Sequence, residues 1–131
     1  MAVARKNCER DSEVKILKYC YYHNKTQCIT YYLFSGLMFL HSHKQKPSIH
    51  CDIKPDNILL DSNDSPMIAD FAFCRTGLEN DESLSVLKVY GTKNYIPKEC
   101  VRQSAISTKV DDHCFGIILF ELATGEKNLL K

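Results

Sequence analysis

Glycine is scarce in this 131-residue chain: only Gly36, Gly77, Gly91, Gly116 and Gly125 occur, and no two are spaced Gly-x-Gly. A glycine-rich loop that wraps its amides around phosphates is therefore not encoded. Cys-x-x-Cys pairs are missing as well, although there are seven cysteines, Cys8, Cys20, Cys28, Cys51, Cys74, Cys100 and Cys114. An odd, scattered set makes a poor disulfide framework, so reduced thiols and a cytoplasmic location are expected. His41, His43 and His50 have no cysteine at finger spacing, which argues against a zinc site. No long hydrophobic run exists either. The longest uncharged apolar stretch, Gln27 to Leu40, falls short of the roughly 20 residues that span a bilayer, and no apolar signal sequence opens the chain. Excess charge of one sign is absent too. With 17 basic and 16 acidic residues the net is +1, which points to neither nucleic acid nor a membrane surface as partner. The 44% hydrophobic content is enough for one globular core.

What the chain does contain is concentrated between His50 and Leu60, His-Cys-Asp-Ile-Lys-Pro-Asp-Asn-Ile-Leu-Leu. Asp52, Lys54 and Asn57 stand at the spacing that a phosphoryl-transfer loop needs. In such chemistry a carboxylate orients the acceptor hydroxyl, a lysine two residues on neutralises the moving phosphoryl group, and an amide holds Mg²⁺. Thirteen residues after Asn57 comes Ile68-Ala69-Asp70-Phe71-Ala72, then Gly91-Thr92-Lys93-Asn94-Tyr95-Ile96-Pro97-Lys98-Glu99. Asp111-Asp112-His113-Cys114-Phe115-Gly116 leads into an apolar segment that runs to Gly125.

In this order these four segments resemble the catalytic loop, metal-binding segment, activation-segment end and central helix of protein kinases. Asp52-Ile53-Lys54-Pro55 through Asp61, Val89 to Lys93, and Glu121-Leu122-Ala123-Thr124-Gly125 are most similar to the Pelle and interleukin-1-receptor-associated kinases. The likeness runs from about Thr26 to Gly125, which leaves residues 1–25 unassigned and makes 26–131 a partial catalytic domain. The resemblance implies an α+β fold, mainly α, equivalent to part of a kinase C-lobe with the N-lobe absent. It further implies Asp52 and Lys54 as catalytic residues, Lys54, Asn57 and Asp70 as ATP-binding, and Asn57 with Asp70 as the Mg²⁺ ligands. Lys54 points to Ser/Thr acceptors. A protein substrate or signalling adaptor is the implied partner.

Helical spacing of Ile29, Leu33, Leu37 and Leu40, widened by Tyr31, Tyr32, Phe34, Met38 and Phe39, predicts a helix buried on several sides. Ile58 to Leu60 and Met67 to Ala69, around the turn-forming Asp61 to Pro66, predict a hairpin. Thr76 to Leu87 is polar and acidic and predicts a mobile loop. Phe115, Ile118, Leu119 and Leu122 predict a second helix stopped by Gly125, with the surface around Ile118 and Leu122 partly exposed.

Several departures from the family pattern carry expectations of their own. Cys51 replaces an Arg that would anchor phosphate on Thr76, Ser83, Ser85 or Thr92. Ala72 replaces a Gly, with a left-handed penalty of about 1 kcal/mol. Lys98 stands for Pro, and the partner of Glu99 is unknown. His50 is expected to pack under Phe71. Asp111 is expected to accept amides of the catalytic loop, with a capping box to Thr108 as the alternative. Two functions follow. Either the chain is part of a Ser/Thr kinase, inactive as an isolated piece because no N-lobe clamps ATP, or it is a pseudokinase or degenerate fragment serving as a scaffold.

Overall fold

A computed structural model describes residues 25–42, 46–76, 91–92, 94–98 and 106–126. Most of the predicted mobile loop, the unassigned segment before Lys25, and Glu99 lie outside these residues. Among the described residues, two sixteen-residue helices, α1 (Thr26–His41) and α2 (Lys109–Thr124), pack on each other, and α1 also packs on a set of four short strands. The strands are β1 (Ser48–Ile49), β2 (Ile58–Leu60), β3 (Pro66–Ile68) and β4 (Arg75–Thr76), with 3-10 turns over Pro55–Asn57 and Phe71–Phe73.

Helix α1 follows its apolar spacing: Ile29, Leu33 and Leu37 form one buried stripe. Full burial of side chains this size is worth about 1.5–3 kcal/mol each. The predicted burial on several sides is corrected here. Tyr31, Tyr32, Phe34, Met38 and Phe39 are all exposed, Phe39 at 73%. The i, i+4, i+8 set shares one face, and a helix that packs by one stripe turns its other large side chains outward. Gly36 lets this helix approach β3, since a Cβ there would lie 3.0 Å from Ile68 Cδ1.

The predicted hairpin forms, with Ile58 facing Ile68, Leu59 facing Met67 and Leu60 facing Pro66. Its turn is held by Asp61, whose Oδ1 accepts the Asn63 and Ser65 amides at 2.8 Å each. This is the local bonding that makes Asx residues turn formers. Strands β1 and β4 pair antiparallel, Ser48 with Thr76 and Ile49 with Arg75.

Helix α2 stops as expected at Gly125, which takes φ 71° while its amide bonds Glu121 O. Ile118 and Leu122 are buried, at 1% and 6%, rather than partly exposed, because they face α1 and join Leu33, Ile53 and Ile58 in the core. Phe120 is the large apolar residue that this helix leaves outside. Thr108 makes no side-chain cap bond. Among the described residues no helix is long and apolar enough to cross a membrane.

Candidate active site

The loop between β1 and β2 is fixed from both sides. Ile49 and Ile53 anchor it in the interior, and Asp111, fully buried in the first turn of α2, accepts the amides of His50 at 2.8 Å and Cys51 at 2.9 Å. A carboxylate at a helix N-terminus also meets the positive end of the helix dipole. The third partner of Asp111 is His41 Nε2 at 2.9 Å, which ties the end of α1 to the same carboxylate. Asp111 thus has the role expected from the resemblance, and the capping box with Thr108 does not form.

Two amides converging on one carboxylate force the chain to turn sharply, and Cys51 takes φ 67°, a left-handed conformation rare for a residue with a Cβ. His50 is wholly buried and meets Phe71 edge-on at 4.8 Å between ring centroids, as anticipated. Its Nδ1 accepts the Asp52 amide at 3.3 Å, so the tautomer protonated at Nε2 donates to Ala69 O at 3.0 Å.

Around Asp52, which is 3% exposed, four donors meet one carboxylate. Oδ1 accepts the Thr92 amide at 2.9 Å and hydroxyl at 2.8 Å, while Oδ2 accepts Lys54 Nζ at 2.9 Å and Asn57 Nδ2 at 3.0 Å. Burial pushes the Asp52 carboxyl pKa up, but Lys54, Thr92 and Asn57 together outweigh it and hold it below the usual carboxylate value. Asn57 Nδ2 also donates to Asp52 O at 2.8 Å, which commits the amide nitrogen to the loop and leaves Oδ1 as its hard donor atom. Pro55 opens the 3-10 turn that carries Asn57 there.

Asp70 follows β3 at the same open end of the hairpin as Asn57. The Ala69 amide donates to Asn57 O at 2.8 Å, extending the β2–β3 register and placing the residues just before β2 and just after β3 side by side. Asp70 is exposed, with φ 61° and ψ 73°, and among the described residues its Oδ1 makes a long 3.4 Å contact to the Ala72 amide. This corrects the expectation for Ala72. The left-handed residue is Asp70, a type that tolerates this region better than most, while Ala72 lies within a 3-10 turn.

Sequence-predicted Asp52, Lys54 and Asn57 are therefore in direct contact, and Asp70 joins them through backbone. Thr92 is also corrected. Its hydroxyl donates to Asp52 and accepts Lys54 Nζ at 2.9 Å, so it belongs to the site rather than to a free phosphorylation loop. The Gly91-Thr92 pair was legible as a motif, but nothing in its spacing assigns this contact. In the sequence Glu121 stands in a family motif without a role of its own. It is fully buried and accepts Tyr95 Oη at 3.0 and 3.2 Å, and its one sequence signal is an acid among the apolar positions of α2. That contact and burial, burial being the larger cause, push the Tyr95 pKa well up.

The whole described stretch, from α1 to α2, lies inside a match to the protein kinase domain that covers residues 4–130. The chain belongs to the protein kinase domain family. It is 46% identical over 93 residues to the serine/threonine-protein kinase pelle of Drosophila melanogaster, an overlap of 70% of this chain and 19% of that protein. It is 32% identical over 139 residues to cysteine-rich receptor-like protein kinase 14 of Arabidopsis thaliana, covering 90% of this chain and 21% of the relative. A G-type lectin S-receptor-like serine/threonine-protein kinase of Oryza sativa subsp. japonica is 43% identical over 94 residues, 72% of this chain and 11% of the relative. The kinase chain thus spans about a fifth or less of the length of these curated relatives.

Nucleotide chemistry in such a domain uses ATP and a divalent metal. Among the described residues no group of three or more His, Cys, Asp or Glu side chains could hold a metal ion by itself. Asn57 Oδ1 and the Asp70 carboxylate nevertheless suit Mg²⁺, a hard ion held by one or two carboxylates together with water and substrate phosphates.

Proposed function

We propose that this kinase chain is the phosphoryl-transfer part of a Ser/Thr protein kinase of the Pelle type, acting on a protein partner in the cytoplasm. The observation that carries this reading is the four-donor arrangement on Asp52. Asp52 is kept ionised, so it can accept a hydrogen bond from an incoming Ser or Thr hydroxyl and take its proton as the oxygen bonds the γ-phosphorus of ATP and the bond to the bridging oxygen breaks, releasing ADP. About four acceptor directions exist on a carboxylate, so the substrate hydroxyl replaces one present donor. Thr92 Oγ1 is the one that leaves, because a hydroxyl can rotate its proton away while the Thr92 amide still holds Oδ1 at 2.9 Å. Lys54 Nζ then neutralises charge on the transferring group, and Asn57 and Asp70 would hold Mg²⁺. When bound, Mg²⁺ screens the phosphate charges of ATP.

Positioning supplies most of the catalysis in this chemistry, so the 131-residue chain, without a Gly-x-Gly loop, is proposed not to turn over by itself. The test compares this chain with one extended by a glycine-rich loop and a strand lysine, using labelled ATP and thermal shift with Mg-ATP. Phosphorylation of a Ser/Thr peptide is expected only in the extended form, lost in Asp52→Asn, with Mg-ATP stabilisation weakened in Asp70→Ala. Transfer by the short chain that Asp52→Asn abolishes would overturn the need for the missing elements; an extended chain that binds Mg-ATP without transfer would favour the scaffold reading.

A further inference from the structure

We propose that Cys51 and Cys74 form a dithiol that a peroxide oxidises to a disulfide, stapling the loop that carries Asp52 to the segment that follows Asp70. The β1–β4 register pairs Ser48 with Thr76 and Ile49 with Arg75, so the next rung sets His50 opposite Cys74 and Cys51 one residue further. Left-handed φ at Cys51 breaks the strand alternation and folds its Sγ back to 3.6 Å from Ile49 O. Cys74 Sγ lies 4.0 Å from Arg75 O. Extended by one rung, the register sets the His50 and Cys74 Cα atoms about 4.5–5.5 Å apart, and one further step of about 3.4 Å along the strand puts the Cys51 Cα roughly 6 Å from that of Cys74. Disulfides form between Cα atoms about 4.4–6.8 Å apart.

Access sets the order of events. Cys74 is half-buried and Cys51 only 3% exposed, so the oxidant reaches Cys74 first. The Cys74 thiolate attacks the peroxide oxygen, gives a sulfenic acid and releases hydroxide. Cys51 thiolate then attacks that sulfur and expels a second hydroxide, so two thiols and one hydrogen peroxide become a disulfide and two waters. Burial first, then Asp111 and Cys74 itself, push the Cys51 thiol up to about 12, with Arg75 opposing and Asp52 adding. Burial and Asp111 raise Cys74 as well, against Thr76 and Arg75, so formation is slow at neutral pH and accelerates as pH rises. Among the described residues Cys114 is the other buried thiol near Cys51, but its Sγ is committed to Tyr95 O at 3.1 Å.

The full 131-residue chain is treated with hydrogen peroxide across a pH series, its remaining thiols are alkylated, and its peptides are mapped by mass spectrometry. A dithiothreitol-reversible Cys51–Cys74 cross-link as the main product, absent in Cys74→Ser and in Cys51→Ser, is expected, with yield rising with pH. Phenylarsine oxide, which bridges neighbouring thiols, should bind at one equivalent and lose at least tenfold in affinity in Cys74→Ser, a substitution outside the core. Over-oxidation of Cys74 with Cys51 still reduced, a Cys51–Cys114 bridge, or scrambling across the seven cysteines would each overturn the proposal.

Discussion

Single residues set the shape of the loop around Asp52. Gly91 has φ 145°, and a Cβ there would come 2.6 Å from Cys51 O and 2.8 Å from Ile96 Cδ1. No side-chain rotation relieves the clash with a backbone oxygen. Gly91→Ala is expected to destabilise the chain by about 1–3 kcal/mol in urea denaturation, the scale of a strained backbone residue. It also moves Thr92, whose amide and hydroxyl both bind Asp52. The substitution should therefore raise the Asp52 carboxyl pKa toward its ordinary value, observable by carbon NMR titration. An unshifted titration with unchanged stability would contradict both parts. Because the folded pKa of Asp52 is depressed, its ionised form adds stability above the unfolded value of 3.8, and that contribution is lost as pH falls through the lower folded value.

At the scale of elements, α2 controls the catalytic loop through one carboxylate. Replacing Asp111 with Ala orphans the buried amides of His50 and Cys51 and removes the partner of His41. Each orphaned buried donor costs about 1–3 kcal/mol, so Asp111→Ala is expected to unfold much of the population or lower the melting temperature sharply. Thr108→Ala at the same helix end should stay within about 0.5 kcal/mol, because Thr108 makes no cap bond. Calorimetry on the pair separates the roles, and equal losses would show that helix capping, not loop anchoring, is what α2 contributes. Where the variant stays folded, hydrogen exchange at His50 and Cys51 should rise more than within α1.

For the whole molecule, the core carries acids that stay protonated because they are buried. The Cys51 and Cys114 thiols are both pushed up to about 12 from 9.0, by burial before any other cause, and Tyr95 is raised from 10.0 in the same way. Raised folded pKa values give stability that is complete below the unfolded value and is lost as pH climbs toward the folded one. Melting temperature should thus fall between about pH 9 and 12. The fall should be shallower in Cys114→Ala once its lower stability at pH 7 is taken as reference. A flat profile to pH 11 would refute the assignment.

Much of this kinase domain segment was legible as sequence because its information is local. Apolar spacing announced α1 and α2, turn residues announced the hairpin, and Asp52, Lys54 and Asn57 sit within six residues of one another, so one short loop brings them together. Asp111 was assigned through the resemblance alone. Contacts across long sequence separations were decided by packing. Thr92 reaches Asp52 from forty residues away, and the Tyr95–Glu121 pair forms only once α2 is docked. The same applies to burial: composition marks Phe34 and Phe39 as apolar, yet which side of α1 faces β3 and α2 decides that they lie outside. Backbone strain behaved likewise, since residue type pointed to Ala72 while the amides held by Asp111 and the hairpin end put left-handed φ at Cys51 and Asp70. Residue type fixes what a position can do; the elements packed around it fix which of those options is used.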